Sequence, residues 1–261
     1  HLAIDSSGNY LVNSNYSDGS LSLFKINTDG SLSENSQVLQ FKDSSIIKSR
    51  QRASHMHSAN FSPDNNYVFA YDLGADKIRG FELVKKQGKV SLENPKEIKT
   101  KPGSGPRHFA FHPNGKFGYL INELSGKIDA YTYSSGNLGF IEDYLTYQQK
   151  QDIYRTADIH ISPDGKFLYA SNRGPEEDTI VIFSIDENSG KLQLVDHQST
   201  YGEHPRNFGI DPSGNFLLVA NMYTNTVVVF KRDLVSGKLT KLPFDISVKN
   251  PSSIQMKTYN K

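Results

Sequence analysis

Along most of this chain, apolar residues alternate with polar ones at period two, in short runs closed by turn signals. Arg107-His-Phe-Ala-Phe-His112 carries the alternation of a half-buried strand. Pro113-Asn-Gly115 follows as a tight turn, since glycine takes the positive φ that such turns require. Phe117-Gly-Tyr-Leu-Ile-Asn122 is a second, more apolar strand. After Ser125-Gly126 come a third, Ile128 to Tyr133, and a fourth, Leu138 to Tyr147. The same order fits residues 159–199 and 207–242. Pro and Gly interrupt too often for helices, and no 3.6-residue periodicity lasts three turns.

One phrase recurs: Asp5-Ser-Ser-Gly8, Ser62-Pro-Asp-Asn65, His112-Pro-Asn-Gly115, Ser162-Pro-Asp-Gly165 and Asp211-Pro-Ser-Gly214. Its second residues stand at 6, 63, 113, 163 and 212, at spacings of 57, 50, 50 and 49. A fixed period of this size marks a repeat architecture. Four antiparallel strands per repeat describe the blade of a β-propeller, whereas a β-sandwich would not repeat near-identical turns at constant spacing. The expectation is therefore an all-β chain, residues 1–261 forming one propeller domain. Five repeats fit between His1 and Asn250, and Pro251-Ser-Ser-Ile-Gln-Met256 reads as the first strand of another. An open ring would expose sheet edges, so the complete protein is expected to hold roughly two more blades, seven in all, supplied by residues upstream of His1.

This topology groups residues that are distant in sequence. In a propeller the first strand of each blade lines the central channel, and its start shares a mouth with the end of the second strand. First-strand starts supply His55-Met-His57-Ser58, Arg107-His108, Asp158-Ile-His160 and Arg206-Asn207. Second-strand ends supply Asn13 to Asn15, Asp72, Asn122-Glu123, Asn172-Arg173 and Asn221. The opposite mouth receives the turn phrases. The pattern implies a cationic pocket with at least one carboxylate, suited to a small polyanionic or polyoxygenated ligand. Plainer roles stand beside this one. A strand-end Asn often caps backbone groups, the arginines could form inter-blade salt bridges, Glu123 could merely partner one of them, and Asp72 could support its turn. His55-x-His57 lacks a third ligand at a defined spacing and points to no metal. His112, His197 and His1 read as structural.

Composition narrows the function further. Lys and Arg number 29 against 28 Asp and Glu, a net charge of +1, which provides no broad field for nucleic acid or an anionic membrane. No apolar run approaches the roughly 18 residues of a membrane span. The first residues show neither a charged n-region nor an apolar h-region. The absence of Cys excludes disulfides, thiolate nucleophiles and Cys-ligated metal. There is no Gly-x-Ser-x-Gly elbow, phosphate-cradling loop or dinucleotide fingerprint, so no cofactor is expected. The 14 Tyr and 15 Phe do not interleave with basic residues and belong to blade packing.

Several phrases together resemble the lactonase family of seven-bladed propellers, which includes bacterial 6-phosphogluconolactonase and fungal 3-carboxy-cis,cis-muconate lactonizing enzyme. They are Gly105-Pro-Arg-His-Phe-Ala-Phe-His-Pro-Asn-Gly115, Asn122-Glu-Leu124, Ser171-Asn-Arg-Gly174 and His204-Pro-Arg-Asn-Phe208. His57-Ser-Ala-Asn-Phe-Ser-Pro-Asp64 and Asp72-Leu-Gly-Ala-Asp76 are similar to the family's blade phrases as well. The likeness covers essentially the whole chain. It implies catalytic roles for a His, an Arg and a Glu, which match His57, Arg107 and Glu123, and for a further Arg, matching Arg173. The other mouth residues, His55, Asp72, His108, Asn122, His160, Arg206 and Asn207, are then expected to bind substrate. The implied activity is hydrolysis of a small-molecule lactone, foremost 6-phosphogluconolactone, in the cytoplasm and without a cofactor. Glu123 is expected as the base for water, although a neighbouring Arg should weaken it. Arg107 is expected to stabilise the oxyanion, His57 to protonate the ring oxygen, and Arg173 and Arg206 to hold phosphate or carboxylate. Cycloisomerisation of a carboxylated diene and non-catalytic binding on the same face are the alternatives. Oligomeric state is not legible in the sequence.

Overall fold

Each sequence repeat folds as one four-stranded antiparallel sheet in the computed structural model, which describes residues 1–258 apart from Asn35 and Pro175. The first blade holds β1 (Leu2–Ile4), β2 (Tyr10–Asn15), β3 (Ser20–Lys25) and β4 (Gln37–Gln40). The second holds β5 (Met56–Phe61), β6 (Tyr67–Asp72), β7 (Lys77–Lys86) and β8 (Lys89–Lys99). The third holds β9 (Pro106–Phe111), β10 (Phe117–Asn122), β11 (Lys127–Ser134) and β12 (Asn137–Leu145). The fourth holds β13 (Thr156–Ile161), β14 (Phe167–Asn172), β15 (Thr179–Ile185) and β16 (Leu192–Ser199). The fifth holds β17 (Pro205–Ile210), β18 (Phe216–Asn221), β19 (Thr226–Arg232) and β20 (Leu239–Ser247). Strand order follows chain order in every sheet, and no helix occurs among the described residues.

The core lies between blades, not within them. Val12, Leu21 and Leu23 of the first blade pack on Ala59, Val68 and Ala70 of the second. Phe69 and Tyr71 of the second meet Phe109 and Tyr131 of the third, with Tyr71 and Phe109 stacked at 5.2 Å. A strand in the middle of a blade is therefore covered on both faces. Every residue of β10 and β14 is buried, which is why their sequences read as continuous apolar runs in place of alternation.

The recurring turn phrase now has a physical account. Its fourth residue donates a backbone hydrogen bond to the carbonyl of the first, for example Gly165 to Ser162 at 2.8 Å and Gly214 to Asp211 at 2.8 Å. The first side chain accepts from the backbone that re-enters the sheet: Ser62 Oγ from Tyr67 N at 2.9 Å, Ser162 Oγ from Phe167 N at 3.0 Å, Asp211 Oδ1 from Phe216 N at 2.7 Å. His112 occupies this place in the third blade, and its Nε2 meets the Gly165 carbonyl of the next blade at 2.8 Å, a structural role. The aromatic that follows the phrase locks neighbouring blades together in the second to fourth repeats, Tyr67, Phe117 and Phe167, whereas Phe216 of the fifth is exposed. Phe117 fills the space a Cβ would need at Gly190, where the nearest ring carbon lies 2.4 Å from that position, and Phe167 does the same at Gly237. Tyr119 and Tyr169 hydroxyls then donate to the carbonyls of those glycines at 2.9 and 2.8 Å.

Two sequence expectations shift. The fourth strand of the third blade ends at Leu145, short of Tyr147. Pro251–Met256 pairs with no strand, yet it runs along β17: Ile254 N donates to Asn207 Oδ1 at 2.6 Å, and Ile254 and Met256 lie over Gly209. A first strand needs a second strand to complete its ladder, and among the described residues none lies on the far side of this segment. Among the described residues no helix is long and apolar enough to cross a membrane.

The glycine lock can be weighed against an otherwise similar turn. Gly190 and Gly88 both take positive φ, +70° and +77°, but a Cβ at Gly88 would meet nothing within 4 Å. Gly88→Ala is expected to cost about 1 kcal/mol from the left-handed backbone alone, and Gly190→Ala about 2–4 kcal/mol because the Phe117 ring must also move. Thermal denaturation of the two variants, side by side, checks the difference.

Candidate functional site

In blades two to five the ladder between first and second strands slips by one residue at the same place. Met56 pairs Asp72 and Ser58 pairs Tyr71, which leaves His57 out of the pairing. Pro106 and His108 pair successive residues of β10 and leave out Arg107, and Pro205 and Asn207 likewise leave out Arg206. In the fourth blade the slip covers Ala157 and Asp158. A bulge frees its extra residue from the strict alternation and re-aims its side chain. The second strands end in Asp72, Asn122, Asn172 and Asn221, all fully buried. The next N–H then returns to the first strand, from Glu123 to the Gly105 carbonyl at 2.8 Å and from Arg173 to that of Arg155 at 3.1 Å. Bulge and return together deliver His57, Arg107, Glu123 and Arg173 to one mouth.

Glu123 is the centre of the cluster. Its Oε2 accepts from Arg107 Nε at 2.9 Å, pairs with Arg173 Nη2 at 3.1 Å and lies 4.0 Å from His57 Nε2. Oε1 takes Arg50 Nη2 at 2.6 Å. Burial pushes the carboxyl up, but Arg107, Arg173 and Arg50 outweigh it and bring it down to about 2. Arg107 is 1% exposed, and burial, then Arg173, lowers it to about 10, still protonated at neutral pH. Its Nη1 donates to the Ala157 carbonyl, and among the described residues Nη2 has no protein partner. Arg173 is braced by the carbonyls of Arg155 and Thr156, both at 3.2 Å. His57 sits edge-on to Tyr16 and His108, and its buried Nδ1 has no partner among the described residues. Burial first, then Arg107, His108, Arg206 and Arg173, holds it well below the ordinary 6.5, so the ring is neutral at neutral pH.

A second carboxylate stands beside this group. Asp158, 3% exposed, accepts from His108 Nδ1 at 2.7 Å and His160 Nε2 at 3.0 Å, and from the Asn207 amide. Next to Arg173 opens a cavity of about 680 Å³, whose wall includes Lys150, Arg155, Asp178 and His204 stacked on Tyr223 at 4.2 Å. His204 Nε2 faces Arg173 Nη1 at 3.4 Å. Among the described residues no group of three or more His, Asp or Glu is placed to hold a metal ion.

Of the sequence candidates, His57, Arg107, Glu123 and Arg173 form one contact group, and His108, His160 and Asn207 gather around Asp158. Arg206 makes no ion pair or hydrogen bond among the described residues, but its charge acts on His57 and Arg107. Three candidates fall elsewhere. Asp72 is turned into its blade, where Arg79 Nη2 holds it at 2.9 Å and it accepts from His55 N at 2.9 Å. Asn122 is buried beside Asp129, at the place where Asn172 and Asn221 donate to the carbonyls of Thr146 and Thr200. His55 stacks on Tyr16 at 4.5 Å, with Nδ1 on the Tyr16 carbonyl at 3.0 Å. These three stand apart from the Glu123 contact group: Asp72 and Asn122 are buried at the ends of their second strands, where the next residue, Glu123 in the third blade, is the one that joins the cluster, and His55 meets it only through Tyr16, which lies edge-on to His57. Sequence reasoning missed Arg50, which a non-repeating inter-blade loop carries in, and it missed Asp158 as a hub. The Asp158-Ile-His160 spacing was the available signal for the latter.

The profile of the family described as "Lactonase, 7-bladed beta-propeller" matches residues 1–256. A protein named 6-phosphogluconolactonase from Formosa agariphila is 56% identical over 261 residues, all of this chain and 74% of that one. Its namesake from Bacillus subtilis is 34% identical over 258 residues, 98% of this chain and 72% of that one. The solved structure of the Pseudomonas aeruginosa periplasmic gluconolactonase superposes with a TM-score of 0.91 at 35% identity, covering 97% of this chain and 71% of the other. With its five successive blades and its match along nearly the whole length, this chain belongs to the seven-bladed β-propeller lactonase family.

Proposed function

We propose that the protein hydrolyses a sugar lactone, 6-phosphogluconolactone foremost, at this channel mouth. The observation that carries the reading is the Glu123 cluster: three guanidinium groups and a neutral imidazole, drawn from separate blades and from the loop before the second, converge on one carboxylate. The names of the similar proteins favour hydrolysis over cycloisomerisation or simple binding.

Opening a lactone requires a water stripped of a proton, a donor for the oxyanion and a proton for the departing ring oxygen. A carboxyl brought down to about 2 has little appetite for a proton at neutral pH, so the role of base passes from Glu123 to His57. In this reading neutral His57 takes a proton from water as the water oxygen attacks the carbonyl carbon. Glu123, 4.0 Å from Nε2, steadies the imidazolium meanwhile. When the C–O bond of the ring breaks, His57 returns the proton to the alkoxide. Arg107, with Nη2 unclaimed, meets the oxyanion. Arg206, a mouth cation with no ion pair or hydrogen bond among the described residues, suits a substrate phosphate.

Hydrolysis of fresh 6-phosphogluconolactone, measured against its spontaneous rate, tests the activity; rates at background would remove it. His57→Gln is expected to lower kcat/KM by about 10²–10⁴-fold. Because the neutral imidazole is the working form, wild-type kcat/KM on unphosphorylated gluconolactone should be flat through neutrality. It should fall only as pH drops through the depressed His57 value, well below 6.5, and the variant should lose that acid limb. Arg206→Ala is expected to raise KM for the phosphorylated lactone by about 10-fold or more while leaving the unphosphorylated one within a factor of two, as loss of a single charge-assisted contact predicts. Parallel initial-rate kinetics on the two lactones check this.

A further inference from the structure

The Asp158 hub is built from three blades and touches none of the groups assigned chemistry above, except through one histidine. Its carboxylate accepts His108 Nδ1 at 2.7 Å from the third blade, His160 Nε2 at 3.0 Å from its own strand, and the Asn207 amide and Phe208 N–H, the latter at 3.3 Å, from the fifth. An imidazole that donates through Nδ1 to a carboxylate keeps a lone pair on Nε2. In His108 that nitrogen lies 3.3 Å from Arg107 Nη1. The same Nη1 donates to the carbonyl of Ala157, the residue before Asp158. Arg107 is thus gripped along two edges, by Glu123 at Nε and by the Asp158 side at Nη1.

We propose that Asp158 is a positioning residue for Arg107: by fixing His108 in the Nδ1–H tautomer it presents the Nε2 lone pair to the guanidinium and aims Nη2 into the mouth. The opposite tautomer would turn an N–H toward Arg107 and push the guanidinium off its line. The His108 ring is suited to a neutral state, since burial and then Arg107 bring it down to about 4. The kinetic part of the idea rests on the lactonase reading; the tautomer does not.

The test joins spectroscopy and kinetics. In the wild-type protein, ¹⁵N-detected histidine spectra should show His108 neutral, with its proton on Nδ1. In Asp158→Asn, whose amide can offer an N–H to Nδ1, the proton should move to Nε2. On gluconolactone, Asp158→Asn should lower kcat and kcat/KM together by on the order of 10²-fold, with KM within a factor of two, as a misaligned transition-state contact requires. His108→Phe should give a similar loss, and Asp158→Asn in the His108→Phe background should add less than a factor of three, because both changes break one chain of contact. A wild-type His108 protonated on Nε2 overturns the proposal, as does a further tenfold loss in the double variant. If Asp158→Asn fails to fold, the wild-type tautomer and the kinetics of His108→Phe still decide. If the wild type hydrolyses no lactone, the spectra alone decide the positioning, and the functional reading fails separately.

Discussion

Gathering positive charge out of water is costly, and much of this molecule's arrangement answers that difficulty. Arg107 and Arg173 are almost entirely buried side by side, and Arg50 closes over them. Each buried ion forfeits several kcal/mol of hydration, and like charges add to the penalty. Glu123 is the counterweight. Its own desolvation works against it, yet the carboxyl stays ionised down to about 2, so the attraction of the three arginines prevails over the cost of burial. An anion so firmly held is a poor proton acceptor. In the proposed reaction the task of handling protons falls to His57, which burial first and then the same positive field keep neutral.

The fold was legible in the sequence to a large extent, because its signals are local. Turn phrases and alternation act within a few residues, and the repeat multiplies each signal five times. The aromatic after each phrase was visible too, though not its partner: that Phe117 fills the space over Gly190 depends on how two blades stack, which no local pattern states. The segment Pro251–Met256 carries strand-like alternation, but a ladder takes two strands, and here it only lies against β17.

The site was legible in part. Topology alone brought these strand ends to one mouth, and four of the candidates meet there. It could not resolve neighbours. Asn122 and Glu123 are adjacent, yet one is sealed in the sheet and the other is the hub, a distinction made by the backbone return at Glu123. Asp72 stands in its sheet in the same way as Asn122, with Arg79 as its partner within the blade. Arg50 lay beyond reach because its loop belongs to no repeat. Asp158 was placed at the mouth, but its role in gathering His108, His160 and Asn207 was masked by the bulge, since a slipped register changes which way successive residues point.

That slipped register has a wider meaning for how such a molecule diversifies. A residue excluded from the ladder can be exchanged without shifting the pairing register of its neighbours. The chain already displays the outcome, with histidine, arginine, alanine and arginine standing at the matching place in four consecutive blades, at positions 57, 107, 157 and 206. One scaffold position, copied around an axis, thus works as an interchangeable socket, and new chemistry can be assembled at the hub one module at a time.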